Sequence, residues 1–120
     1  MTNSIVFSKS KIFSIRIIKL YSYLKNNLQE YTMSSQLLRS GTSIGANIAE
    51  AEYAISKKDF HSKMHIALKE CAETKYWLEI LYETEFLNKS QFDSLNNDCL
   101  ELLRLLTAIT KKTKSYNSEI

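Results

Sequence analysis

The run Met33-Ser-Ser-Gln-Leu37-Leu-Arg-Ser-Gly41-Thr-Ser-Ile44-Gly-Ala-Asn-Ile48-Ala-Glu-Ala51 repeats apolar or small residues every three or four positions. That is the period of one face of a helix. It predicts a helix over 33–54 whose stripe is Met33, Leu37, Gly41, Ile44, Ile48, Ala51 and Ile55. Both glycines of the chain, Gly41 and Gly45, fall inside it. Each costs about 1 kcal/mol relative to alanine in a helix interior. With Ala49 they form a ladder of small residues four apart, which lets another backbone come close. A helix that keeps two such residues is expected to be packed tightly against a neighbour.

Three more helices flank this one. The first is expected over 8–27, with Phe13, Ile17, Leu20, Leu24, Leu28 and Tyr31 as its stripe, widened by Ile12, Ile15 and Ile18. The third is expected over 57–86, opened by Ser56 as cap with Asp59 three residues on. Its core side is Phe60, Met64, Ala67, Cys71, Thr74, Leu78 and Leu81. The fourth is expected over 90–112, with Ser90 and Asp93 in the capping positions and Phe92, Leu95, Cys99, Leu102, Leu106 and Ile109 facing inward. A chain of 120 residues with no proline and two glycines lacks the turn residues of an all-β fold. It is 44% apolar with net charge +3, which argues against disorder. Short connections make successive helices antiparallel neighbours. The expected fold is all-α, a single up-down-up-down antiparallel four-helix bundle over residues 1–120, with a polar tail.

No run approaches 18 apolar residues, and the N-terminal stretch does not read as a signal peptide. The expected location is the cytoplasm, with no membrane contact. Cys71 and Cys99 fall at apolar helical positions and read as buried free thiols, a disulfide or redox pair being the alternative.

Charge is sorted along the chain. Residues 1–49 carry net +5, residues 50–101 net −5 and residues 102–120 net +3. Up-down topology turns this into two poles. One gathers Lys9, Lys11, Lys57, Lys58, Lys63, Lys111, Lys112 and Lys114 against Glu52, Asp59 and Glu119. The other collects Glu30, Glu79, Glu83, Glu85, Asp93 and Asp98. A basic pole suits the phosphate backbone of RNA or DNA, and Arg16 and Lys19 on the first helix would extend it. The alternative is that these lysines only keep the protein dissolved.

A polar strip, Gln36, Arg39, Ser40, Ser43, Asn47 and Glu50, runs beside the apolar face of the second helix. It reads as a network fixing packing or subunit register, or as a ligand contact. Trp77 lies off the core stripe near Glu70 and Glu73, either anchoring a subunit contact or covered within the chain.

Enzymatic chemistry finds little support. Neither histidine follows a glutamate by three residues, so a di-iron pattern is missing. His61 and His65 are four apart but lack a third ligand. No phosphate-cradling glycine loop and no HExxH occurs. No catalytic residue, metal or cofactor is expected.

The run Gln36–Ala51, with Ser56-Lys-Lys-Asp-Phe60, Lys63-Met-His-Ile-Ala-Leu-Lys-Glu70 and Glu73-Thr-Lys-Tyr-Trp-Leu78, resembles the four-helix bundle proteins of bacterial 23S ribosomal RNA intervening sequences. The same family is similar to the accessory variability proteins of diversity-generating retroelements. The resemblance implies a bacterial homo-oligomer, a pentamer, with a basic surface. It implies a ribosomal RNA setting in one branch, and RNA with a reverse transcriptase in the other. Arg39, Ser43, Asn47, Glu50 and Glu73 fall on family motif positions.

Overall fold

A computed structural model describes residues 4–118; Glu119, set among the acids of the basic pole above, lies outside the described residues. Four helices follow in order: α1 (Ser4–Leu28), α2 (Thr32–Ala51), α3 (Lys57–Glu83) and α4 (Lys89–Lys112), then a 3₁₀ turn (Lys114–Ser118). Helix α1 packs on α2 and α4, and α3 packs on the same two. The diagonal pairs do not approach, and the α1–α4 seam is the sparsest. Side-chain pairs give the directions. Lys9 meets Glu101 and Arg16 meets Asp98 across α1–α4. Arg39 meets Glu70 and Glu50 meets Lys63 across α2–α3. Tyr82 stacks on Phe92, while His61 reaches Thr113, across α3–α4. In each seam one number rises as the other falls, so the bundle is antiparallel throughout, in a rod of 50 × 21 × 20 Å.

The core holds the stripes of all four helices, from Phe13, Ile17 and Leu24 through Leu37, Ile44 and Ile48 to Met64, Leu78, Leu102 and Leu106. Close approach at the glycines is real. A Cβ on Gly41 would stand 2.9 Å from both Cγ1 and Cγ2 of Ile17. One on Gly45 would stand 3.3 Å from the hydroxyls of Ser10 and Ser14. Cys71 and Cys99 are buried free thiols with sulfurs 3.9 Å apart, and each S–H lies against the other's carbonyl. The hydrogen bond to Cys99, then burial, pushes the Cys71 thiol far above its ordinary range, so it stays protonated.

Four expectations are corrected. Ile12, Ile15 and Ile18 do not widen the core stripe; with Ile5 they are exposed on the outer side of α1, and Tyr31 is exposed as well. Helix α2 stops at Ala51, where its bonding tightens to three-residue steps (Glu52 N–H to Ala49, Tyr53 to Glu50, Ala54 to Ala51). Ile55 therefore leaves the stripe and is 93% exposed. Helix α4 is capped two residues earlier than expected, at Asn88 and not Ser90. Asn88 caps it in a reciprocal box with Gln91, and Asp93 pairs with Lys89 instead. Ser40 belongs to the interior, where it is fully buried against the Thr74 hydroxyl at 3.0 Å.

Candidate nucleic-acid interface at the basic pole

The start of α1, the α2–α3 turn and the end of α4 meet at one end of the rod, as the antiparallel order requires. Ser56 caps α3 by accepting the Asp59 N–H at 3.0 Å, and the Asp59 carboxylate accepts the Ile55 N–H at 3.1 Å. This clamp turns Tyr53, Ile55, Lys57 and Lys58 outward together. Tyr53 is 87% exposed. Across from it the 3₁₀ turn brings Tyr116 under Lys57, whose Nζ lies 5.5 Å from the ring centroid. A hollow of about 400 Å³ beside this contact is lined by Ala51, Glu52, Ile55, Lys57, Phe60 and Tyr116.

The expected cations fall into two groups. Lys9, Lys63 and Arg16 are engaged in pairs with Glu101 (3.1 Å), Glu50 (2.9 Å) and Asp98 (2.6 Å). Arg16 also donates to the Ser94 hydroxyl at 2.8 Å, so it serves the α1–α4 seam, and Asp98 sits along the rod and not at the acidic pole. Lys11, Lys19, Lys57, Lys58, Lys111, Lys112 and Lys114 are exposed and form no carboxylate pair among the described residues. Of these, Lys11 and Lys19 lie on the outer face of α1 with the exposed isoleucines. Lys57, Lys58, Lys111, Lys112 and Lys114 form the pole proper. The acidic end is partly consumed: Glu30 accepts the Met33 and Ser34 N–H groups of α2, and Glu79 pairs with Lys75.

The strip on α2 closes within the chain. Arg39 holds Glu70 at 3.1 Å and also Glu73, which in turn accepts the Trp77 indole N–H at 2.9 Å. The Ser43 hydroxyl donates to the Arg39 carbonyl, Asn47 to the Ser43 carbonyl, and Glu50 reaches Lys63. Trp77 is half-buried against the core, and Tyr76 meets it edge-on while remaining exposed. Arg39 and Glu50 bind α2 to α3, while Ser43 and Asn47 bond within α2. The bonds of Arg39, first, and of Trp77 hold the Glu73 carboxyl below the usual glutamate range. A lowered folded pKa gives stability that is full above the unfolded value, about 4.3, and lost as pH falls through the folded one. Both side chains are more than a third exposed, so the pair is worth about 1 kcal/mol at most. The chain has one tryptophan, which reports this titration. Wild-type emission is expected to shift in acid with a midpoint below 4.3, about the free-glutamate value. Glu73→Gln should lack that step. An identical acid step in the variant would detach Glu73 from it.

Sequence reasoning missed Tyr53, and it read His61 and His65 only as a failed metal pair. The signal for Tyr53 was present: nine residues after Ile44, it falls half a turn from the core on a helical wheel. Among the described residues no three His, Cys, Asp or Glu side chains cluster to hold a metal ion, and no helix is long and apolar enough to cross a membrane.

No curated protein sequence matches the chain. A crystal structure at 1.70 Å of a protein of unknown function from the S23 ribosomal protein family of Bacteroides thetaiotaomicron superposes with a TM-score of 0.90. It is 52% identical and covers 92% of this chain and 99% of its own. Residues 2–108 match the description "23S rRNA-intervening sequence protein". With that span, the antiparallel bundle and the α2 motif in one molecule, the chain belongs to the 23S rRNA-intervening sequence protein family.

Proposed function

We propose that the protein is a non-enzymatic, homo-oligomeric accessory protein of the cytoplasm that binds the phosphate backbone of RNA, or of DNA, through its basic pole. One observation carries the reading. Lys57, Lys58, Lys111, Lys112 and Lys114 meet at one end with no carboxylate partner among the described residues, beside the exposed ring of Tyr53. Lysines neutralise phosphates and release counterions. An exposed aromatic among them offers a face for an unpaired base. The family name points to a ribosomal RNA setting, and the reverse-transcriptase setting is the other that the resemblance implies.

Assembly is the second part of the proposal. At 100° per residue, Ile5, Ile12, Ile15 and Ile18 lie in an arc of about 140° opposite Phe13, Ile17 and Leu24. They are 48–66% exposed. A helix apolar on both sides is expected to be covered on both. A second copy against α1 would do this, and a ring of parallel copies, five in the form the resemblance implies, would place the basic poles side by side. The alternative is a structural or protein-interaction module in which the lysines only solvate that end.

Titrating a structured RNA at a series of salt concentrations tests the reading. Five phosphate contacts per protomer predict a log-affinity slope of about −3.5 to −4.5 against log salt. Duplex DNA of the same length serves as competitor. Absence of binding even at low salt overturns the nucleic-acid reading and leaves the interaction module.

A further inference from the structure

Beside the pole, α3 and the end of α4 enclose a groove of about 430 Å³ lined by His61, Ser62, His65, Ile66, Lys69, Thr110, Lys111 and Lys114. We propose that this groove is a binding site for one phosphate group of the bound strand, held by Lys69, Lys111 and Lys114 and by the imidazoles of His61 and His65. The inference rests on the nucleic-acid reading and gives it a specific contact.

Three observations carry it. First, the lining contains three ammonium groups and two imidazoles, and no carboxylate. Lys69, Lys111 and Lys114 form no ion pair among the described residues. Like charges gathered without a counter-charge repel, and an anion between them removes that cost. Second, the two imidazoles are held in parallel, with centroids 6.1 Å apart and planes at 18°, so both edges address one opening. Third, one ring is anchored: His61 Nδ1 lies 2.8 Å from the Thr113 hydroxyl, which ties the imidazole to the end of α4 and leaves its Nε2 edge clear of that contact.

A neutral imidazole leaves a lone pair on one ring nitrogen, which suits no phosphate oxygen, whereas an imidazolium offers two charged donors. The groups that face these rings are His61, His65 and Lys69 from α3, Lys111 from α4 and Lys114 from the 3₁₀ turn, with the Ser62 and Thr110 hydroxyls. No carboxylate lines the groove, so a bound phosphate would be the counter-charge of any imidazolium there, and phosphate binding and proton uptake are linked.

The test compares wild type, His65→Gln and the double variant His61→Gln/His65→Gln at two pH values, about 7.5 and about 5.5, which span ordinary imidazole protonation. RNA affinity is read by fluorescence anisotropy. Inorganic phosphate binding is read from the histidine ring resonances. A charge-assisted hydrogen bond corresponds to about tenfold or more in affinity. Wild type is expected to gain about that factor for RNA at the lower pH, and the double variant to stay flat. His65→Gln should lie between and, being an exposed change, keep the fold. RNA that binds every protein with the same pH dependence overturns the groove and leaves the pole's role standing. Inorganic phosphate that moves the histidine resonances while RNA fails to bind upholds the groove as a site for free phosphate, and it is the nucleic-acid reading that falls. Neither probe perturbing the histidines at either pH overturns the site altogether.

Discussion

Gly41→Ala is expected to lower the unfolding free energy by up to about 2 kcal/mol, although alanine is the better helix former. The propensity gain is about 1 kcal/mol. Against it stands a methyl group 2.9 Å from Cγ1 and Cγ2 of Ile17, a fully buried side chain. Both atoms branch directly from Cβ, and a β-branched chain on a helix has one strongly preferred rotamer. Ile17 cannot swing aside, so the α1 and α2 backbones must separate, and overpacking of this kind costs about 1–3 kcal/mol. Gly45→Ala is the internal comparison. Its new methyl would meet serine hydroxyls at 3.3 Å, which adjust more easily, so propensity and crowding should nearly cancel. Denaturant titration of the two single variants, of Ile17→Ala and of Gly41→Ala/Ile17→Ala completes a cycle. Ile17→Ala alone should cost about 2–5 kcal/mol. In the double variant the removed γ-carbons make room for the new methyl, so the losses should fall short of their sum by about 1 kcal/mol or more. Strict additivity would show that the two residues do not crowd one another.

That crowding was legible in the sequence because glycine in a helix interior has few other uses, and the topology followed from short connections between strongly periodic segments. Other features were legible only in part. Ile12, Ile15 and Ile18 are apolar, and hydrophobicity alone merges them with the stripe of α1, whereas their angular positions put them on the far side. Ile55 shows the opposite difficulty. Eleven residues after Ile44, it keeps phase with the core, and only the end of the helix at Ala51 sends it outward. Where a helix stops depends on local capping, and here on the Asp59 carboxylate claiming the Ile55 N–H. The basic pole was readable from charge order and topology together. Which lysines are already paired was not, because Lys9 and Lys63 find their carboxylates on other helices. His61 acquires its meaning only through Thr113, fifty-two positions away.

The distinction between paired and unpaired lysines selects the variant that should have the greatest effect on function. Lys57→Glu/Lys58→Glu/Lys111→Glu/Lys112→Glu reverses four exposed cations that form no carboxylate pair among the described residues. Exposed changes of this kind seldom alter stability by more than about 0.5 kcal/mol each, so the fold should survive. Each lost phosphate contact removes about 0.7–0.9 from the salt slope, so the slope should flatten by about 3. At about 0.1 M salt, affinity for RNA should fall by a hundredfold or more. Native mass separates this result from a collapse of assembly. On the proposed assembly through α1, the reversed protein should keep the wild-type native mass, whereas Ile12→Asp/Ile15→Asp, on the outer face of α1, should lower it. If poles add within a ring, the isoleucine variant also loses affinity, because linked sites bind far more tightly than separate ones. Its salt slope per protomer should remain, since its lysines are intact. A charge-reversed protein that binds RNA as wild type does would remove the pole from the account. Only the α1 face would then carry a role, and the protein would be an assembly module whose lysines do no more than hold water at one end of the rod.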